Sequence, residues 1–195
     1  MQRIFFALAA IMTMAASPVL AHTGAGSVSG LAAGFGHPIG GLDHVLAMVA
    51  VGVLAAQQGG RSIWLVPAAF VAMMVVGGGL AIAGVPVPFV ELGIVGSIVV
   101  LGGVIAAGQR LPLVGAMALV GVLAIFHGHA HGTEMPVNAS GLVYGIGFAL
   151  ATAMLHAAGI ALGLGLHKMA SRLAPLAIRA GGGAIAATGA ILLLA

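Results

Sequence analysis

The sequence predicts an all-α integral membrane protein: a cleavable signal peptide followed by a bundle of six transmembrane helices. Three observations carry this. Hydrophobic residues make up 62% of the 195 residues and charged residues only 5%, where a soluble domain carries about 25% charged residues. Mean hydropathy is +1.25. The apolar residues fall in runs of the length a helix needs to cross a bilayer, roughly 20 residues, joined by short connections rich in Gly and Pro. A net charge of +3, from six Lys/Arg against three Asp/Glu, is too small to indicate a nucleic-acid partner. Membrane lipid is the expected surrounding. With no cysteine in the chain, disulfides, thiolate metal sites and thiol nucleophiles are excluded.

Residues 1–21 read as a secretory signal peptide. Arg3 supplies the positive start, Ile4 to Ala16 the apolar core, Ser17-Pro18 a break, and Val19-Leu20-Ala21 small residues at the cleavage positions. Cleavage leaves residues 22–195 as a single six-helix membrane domain starting at His22, with its N-terminus outside. The spans are expected at 31–56, 63–83, 89–108, 111–131, 140–166 and 176–195. The second, third and fourth follow turn signals at Gln57-Gln58-Gly59-Gly60-Arg61, Gly84-Val85-Pro86-Val87-Pro88 and Gln109-Arg110. With the N-terminus outside, Arg61, Arg110, Lys168, Arg172 and Arg179 all fall on the inner side, as the positive-inside rule requires. The C-terminus is then outside too, and the expected location is the bacterial inner membrane. No GxxxxGK[ST] phosphate loop is present, so the chain carries no ATP motor of that kind.

Two stretches place ionisable groups where they are expensive. The first span holds His37-Pro38-Ile39-Gly40-Gly41-Leu42-Asp43-His44. On a continuous helix seven residues are nearly two turns, which would set His37 and His44 on one face with Asp43 about 100° around. Pro38 predicts a bend there. The fourth span ends in Phe126-His127-Gly128-His129-Ala130-His131-Gly132-Thr133-Glu134. His127 and His131, at i and i+4, have a spacing that lets two imidazoles share a metal. Glu134 extends the stripe, and His129 points to the other side. Both stretches lie in the outer half of the membrane, so they are expected to meet.

A charged group at mid-bilayer costs at least about 2.5 kcal/mol, and interhelical hydrogen bonds return only about 0.6 kcal/mol on average. The clusters are therefore read as a metal or proton site. Candidate metal ligands are His37, Asp43, His44, His127, His131 and Glu134. Accessory candidates are Glu91 at the outer end of the third span, His129, His156 deeper in the fifth span, and His22, whose freed α-amine and imidazole form a chelating pair. Imidazole and carboxylate without thiolate favour first-row divalent ions, without choosing among Ni²⁺, Co²⁺, Zn²⁺ and Cu²⁺.

The motifs His37-Pro38-x-x-Gly41-x-Asp43-His44 and Phe126-His127-Gly128-x-Ala130-His131-Gly132-x-Glu134 resemble the two signatures of the HupE/UreJ family of nickel permeases associated with hydrogenase and urease maturation. The resemblance extends along the whole chain. It implies secondary uptake of Ni²⁺ into the cytoplasm, the ion being cargo and no permanent cofactor being needed. It also implies hydrogenase or urease maturation proteins as partners, and the six motif residues as the metal path. His129 fills a variable position of the pattern. Alternatives are uptake of Co²⁺, Cu²⁺ or Zn²⁺, an intramembrane zinc hydrolase using Glu134 or Asp43 as base, and a haem-binding electron carrier. An enzyme is not expected.

Overall fold

The computed structural model describes residues 30–135, 140–169 and 173–194. The expected signal peptide, His22 and Arg172 lie outside these. The described residues form seven helices in order: α1 (Gly30–Gly40), α2 (Leu42–Gln58), α3 (Ser62–Ile82), α4 (Val90–Ala107), α5 (Leu113–Thr133), α6 (Gly141–Met169) and α7 (Ala174–Leu194). The described residues contain no strand. α3 to α7 are each long and apolar enough to cross a membrane, and α1 and α2 pass the same test only as a pair. The surface is that of a protein solvated by lipid: Trp64, Val114, Leu142 and Leu194 are each at least 75% exposed. We therefore describe a multi-pass membrane protein.

The connections show why the helices stop where they do. Gly59 and Gly60, with φ of 70° and 53°, turn α2 into α3 through a conformation that costs a side-chain-bearing residue about 1–2 kcal/mol. Gly108 closes α4 in the left-handed region, a common helix terminator. Pro112 then opens α5. Around these turns Gln58 donates to the Gln109 carbonyl and accepts from Leu111 N–H, and Gln57 donates to the Ile105 carbonyl. Arg179 of α7 donates to the Ala106 carbonyl. These bonds tie Arg61, Arg110 and Arg179 to one end of the bundle.

The first span is the main departure from expectation. It is two helices meeting at 82°, so the face shared by His37 and His44 on one continuous helix does not exist. The break falls at Gly41, whose φ of −104° and ψ of 125° are extended. Pro38 sits buried within α1. Proline disturbs the bond to the residue four before it, which here lies inside α1 and leaves the chain after it free to turn. The Asp43 carboxylate and His44 ring fold back over Gly41. A Cβ there would lie 2.6 Å from Asp43 Oδ1 and 3.0 Å from His44 Nδ1.

α3 packs along α5, α4 along α7, and both α1 and α2 along α6. The core runs through Val51, Leu54, Phe70, Leu101, Ile105 and Val120. A Cβ at Gly128 would overlap the Met74 carbonyl, so glycine lets α5 lie directly on α3 beside the histidine cluster, the close approach that small residues permit in membranes.

Candidate metal site

The end of the bundle opposite the arginines gathers the histidines. α1 brings His37 in its last turn, and α2 brings His44 in its first. α5 brings His127 and His131. Ring centroids are 4.6 Å apart for His37–His131, 4.5 Å for His44–His131, 5.2 Å for His44–His127 and 6.2 Å for His37–His44. The bend at Gly41 thus achieves by folding back what a shared helical face was expected to provide. α5 ends at Thr133, and Glu134 N–H caps it by donating to Ala130 O. The Glu134 carboxylate turns toward the cluster, 3.1 Å from His37 Nε2 and 3.6 Å from His131 Nδ1.

Two overlapping sets of candidate ligand atoms result. His44, His127 and His131 each offer one ring nitrogen, all within 4.8 Å of one another, and all three residues are buried. His37, His131 and Glu134 form the second set under the same limit, with His37 half-buried and Glu134 exposed. An ion centred in a triangle of that edge stands no more than about 2.8 Å from each nitrogen, against ~2.0–2.1 Å for a zinc–imidazole bond. Small ring rotations close that gap. His131 belongs to both sets and joins an exposed outer station to a buried inner one.

Hydrogen bonds decide which nitrogens are free. Asp43 Oδ1 accepts both the His44 backbone N–H and, at 2.8 Å, the His44 ring at Nδ1. A carboxylate only accepts, so Nδ1 carries the proton and Nε2, which has no partner, presents its lone pair. Asp43 stands outside both sets of candidate ligand atoms and fixes the orientation of the His44 ring, as a carboxylate behind a metal-binding histidine does. His127 is held from the far side by Ser97. Ser97 Oγ donates to Ile94 O at 2.6 Å and lies 3.0 Å from His127 Nε2. Since the hydroxyl has one proton, His127 Nε2–H donates to Ser97, which leaves Nδ1, without a partner, as the free lone pair. Ser97 was not legible in the sequence, because one serine in an apolar helix has no periodic signal and its partner lies thirty positions away.

The electrostatics suit a cation. His37 and His131 lie in the last turns of α1 and α5, where unpaired carbonyls give each helix end roughly half a negative charge. Glu134 lies beyond the α5 span, and its carboxyl titrates below the ordinary carboxylate range. Its contact with His131 is the chief cause, and partial burial opposes it.

The accessory candidates separate. His129 points away, with Nε2 3.0 Å from Val85 O, and fastens the α3–α4 connection. Glu91 is exposed in the first turn of α4, with no hydrogen bond or ion pair to a ligand imidazole among the described residues. His156 is buried one ring beyond His127: Phe70 lies 5.6 Å from His127 and 5.1 Å from His156, centroid to centroid. Phe148 covers His131 at 4.1 Å. His131 also lines an apolar cavity of about 480 Å³ between α3, α5 and α6.

A family model described as HupE / UreJ protein matches residues 9–192. Protein HupE of Rhizobium leguminosarum bv. viciae is 41% identical over 181 residues, covering 92% of this chain and 93% of that protein. No solved structure shows significant similarity to the chain.

Proposed function

Because the chain belongs to the HupE/UreJ family, we propose that it is a secondary permease carrying a divalent transition-metal ion, Ni²⁺ foremost, across the inner membrane into the cytoplasm for hydrogenase or urease maturation. The observation that carries this reading is the buried triangle of His44, His127 and His131, reached from an exposed carboxylate through His131 itself. A resident structural metal needs a closed ligand shell; a cargo ion needs an entrance and graded ligands.

Glu134 and His37 capture the hydrated cation at the outer mouth. His44, His127 and His131 then replace its water. Asp43 and Ser97 keep the proton on the far nitrogens of His44 and His127, so that two lone pairs are ready before the ion arrives. With the leader removed and the N-terminus outside, the end carrying Arg61, Arg110 and Arg179 faces the cytoplasm. That agrees with the positive-inside rule. A membrane potential negative inside then favours entry of a divalent ion by about 4.6 kcal/mol per 100 mV, enough to drive uptake without ATP. The zinc-hydrolase alternative needs a carboxylate free to act as base on a metal-bound water. Here Asp43 is engaged by His44, and Glu134 by His37 and His131.

Uptake by vesicles containing the purified protein tests this. Ni²⁺ is expected to accumulate, faster under an imposed inside-negative potential, and to outcompete Co²⁺, Cu²⁺ and Zn²⁺. Absence of uptake for all four ions would refute transport.

A further inference from the structure

His156 plays no part in the site just described. Its side chain is 2% exposed, and neither ring nitrogen has a hydrogen-bond partner. A neutral imidazole carries one donor and one acceptor, and an unsatisfied polar group is especially costly where no water reaches. Buried histidines kept for structure are hydrogen-bonded; this one is not. An intramembrane ionisable residue of this kind marks an ion or proton path.

Its position fits such a path. The His156 carbonyl lies against Gly52 of α2, and Gly52 is eight residues, about 12 Å of helix, beyond His44 toward the arginine end. The fully buried Phe70 ring neighbours both His127, at 5.6 Å, and His156, at 5.1 Å, meeting the latter edge-on at an interplanar angle of 88°. One turn before His156, the buried Thr152 hydroxyl points at Met74 Sδ, 3.8 Å away. The buried polar side chains beyond the triangle are few among the described residues, and His156 is the imidazole among them.

We infer that His156 is an inner transit ligand for the same divalent cation, receiving it from the His44–His127–His131 triangle past the Phe70 ring. The inference rests on the permease reading. A cation leaving three imidazoles for an apolar core meets a steep desolvation barrier, and a single imidazole divides it. One nitrogen ligand with a hydroxyl and a thioether nearby holds the ion weakly enough to release it inward. Conduction requires binding that is favourable at entry and weak at exit.

The test uses the full chain with His156→Asn and His156→Leu, two replacements of different polarity. Ni²⁺ affinity at the outer site, measured by calorimetry on purified protein, is expected to stay within about twofold of wild type, which also shows that the variants fold. Vesicle uptake is expected to fall tenfold or more in both. In a Co²⁺ titration followed by visible absorption and carried well past saturation of the outer site, both variants should lack the weak final equivalent that wild type binds. Uptake at the wild-type rate, or an unchanged number of Co²⁺ equivalents, overturns the inference. If wild type itself moves no metal, the permease reading fails, and the Co²⁺ count still decides whether His156 is a ligand.

Discussion

Removing the hydroxyl of Ser97 probes the tautomer argument directly. In Ser97→Ala, His127 Nε2–H loses its acceptor at 3.0 Å in a pocket where both side chains are fully buried. A buried polar group left unpaired costs about 1–3 kcal/mol. The ring can relieve this by moving its proton to Nδ1, which puts N–H where the lone pair faced the triangle. Metal binding must then reverse the shift. Loss of such a partner behind a ligand typically weakens binding 10- to 100-fold, or about 1.4–2.7 kcal/mol. Calorimetric titration of the purified variant with Ni²⁺ should show that loss, and Ser97→Thr, which keeps a hydroxyl, should recover most of it. An unchanged Kd in Ser97→Ala would refute the assignment of the His127 proton and, with it, the role given to Ser97.

Three further outcomes follow from the geometry. His44→Ala and His127→Ala should each abolish high-affinity binding while the protein still inserts in membranes, since each removes one of three buried nitrogens; binding at wild-type strength in either would dissolve the triangle. Gly41→Ala places a methyl 2.6 Å from Asp43 Oδ1 and should weaken Ni²⁺ binding about 10-fold by displacing the Asp43–His44 pair, a loss that equilibrium dialysis would detect. Glu134→Gln should weaken capture by the same factor at about pH 7.5 and about pH 6. Its carboxyl is held below the ordinary carboxylate range, so its charge is present above that range and is lost only as pH falls through the lowered value. Acid loss of loading near pH 6.5 belongs instead to protonation of imidazole, and a Glu134→Gln effect that vanished at pH 6 would contradict this.

Much of this protein was legible in its sequence, because bilayer thickness fixes span length and Gly and Pro mark the turns. The span ends at Gln58, Ala107 and Thr133 fall within two residues of those expected. The convergence of His37, His44, His127, His131 and Glu134 was legible too, since an ionisable group in an apolar run needs a partner at its own depth. So was the turning away of His129, two positions from each neighbouring histidine. A bend in the first span was expected from Pro38, but its place at Gly41 and its 82° angle were not. A proline attracts the eye, but its effect lies a turn earlier, whereas the glycine answers to side chains folding over it, a tertiary cause. Asp43 was read as a ligand by its chemistry; in the structure it holds the His44 ring at Nδ1 and stands outside both sets of candidate ligand atoms, a placement that only the distance to His44 reveals. Ser97 and Phe70 reach the site by packing between helices, for which a single sequence holds no local signal.

The central claim is that the cargo ion rests among the imidazoles of α2 and α5. X-ray absorption at the nickel edge, on purified protein loaded with one equivalent of Ni²⁺, measures this most directly. The account predicts a first shell of nitrogen and oxygen, with the outer-shell scattering of two or three imidazoles reduced in His44→Ala and His127→Ala. A shell of water and carboxylate oxygen alone, or one dominated by sulfur, would contradict it.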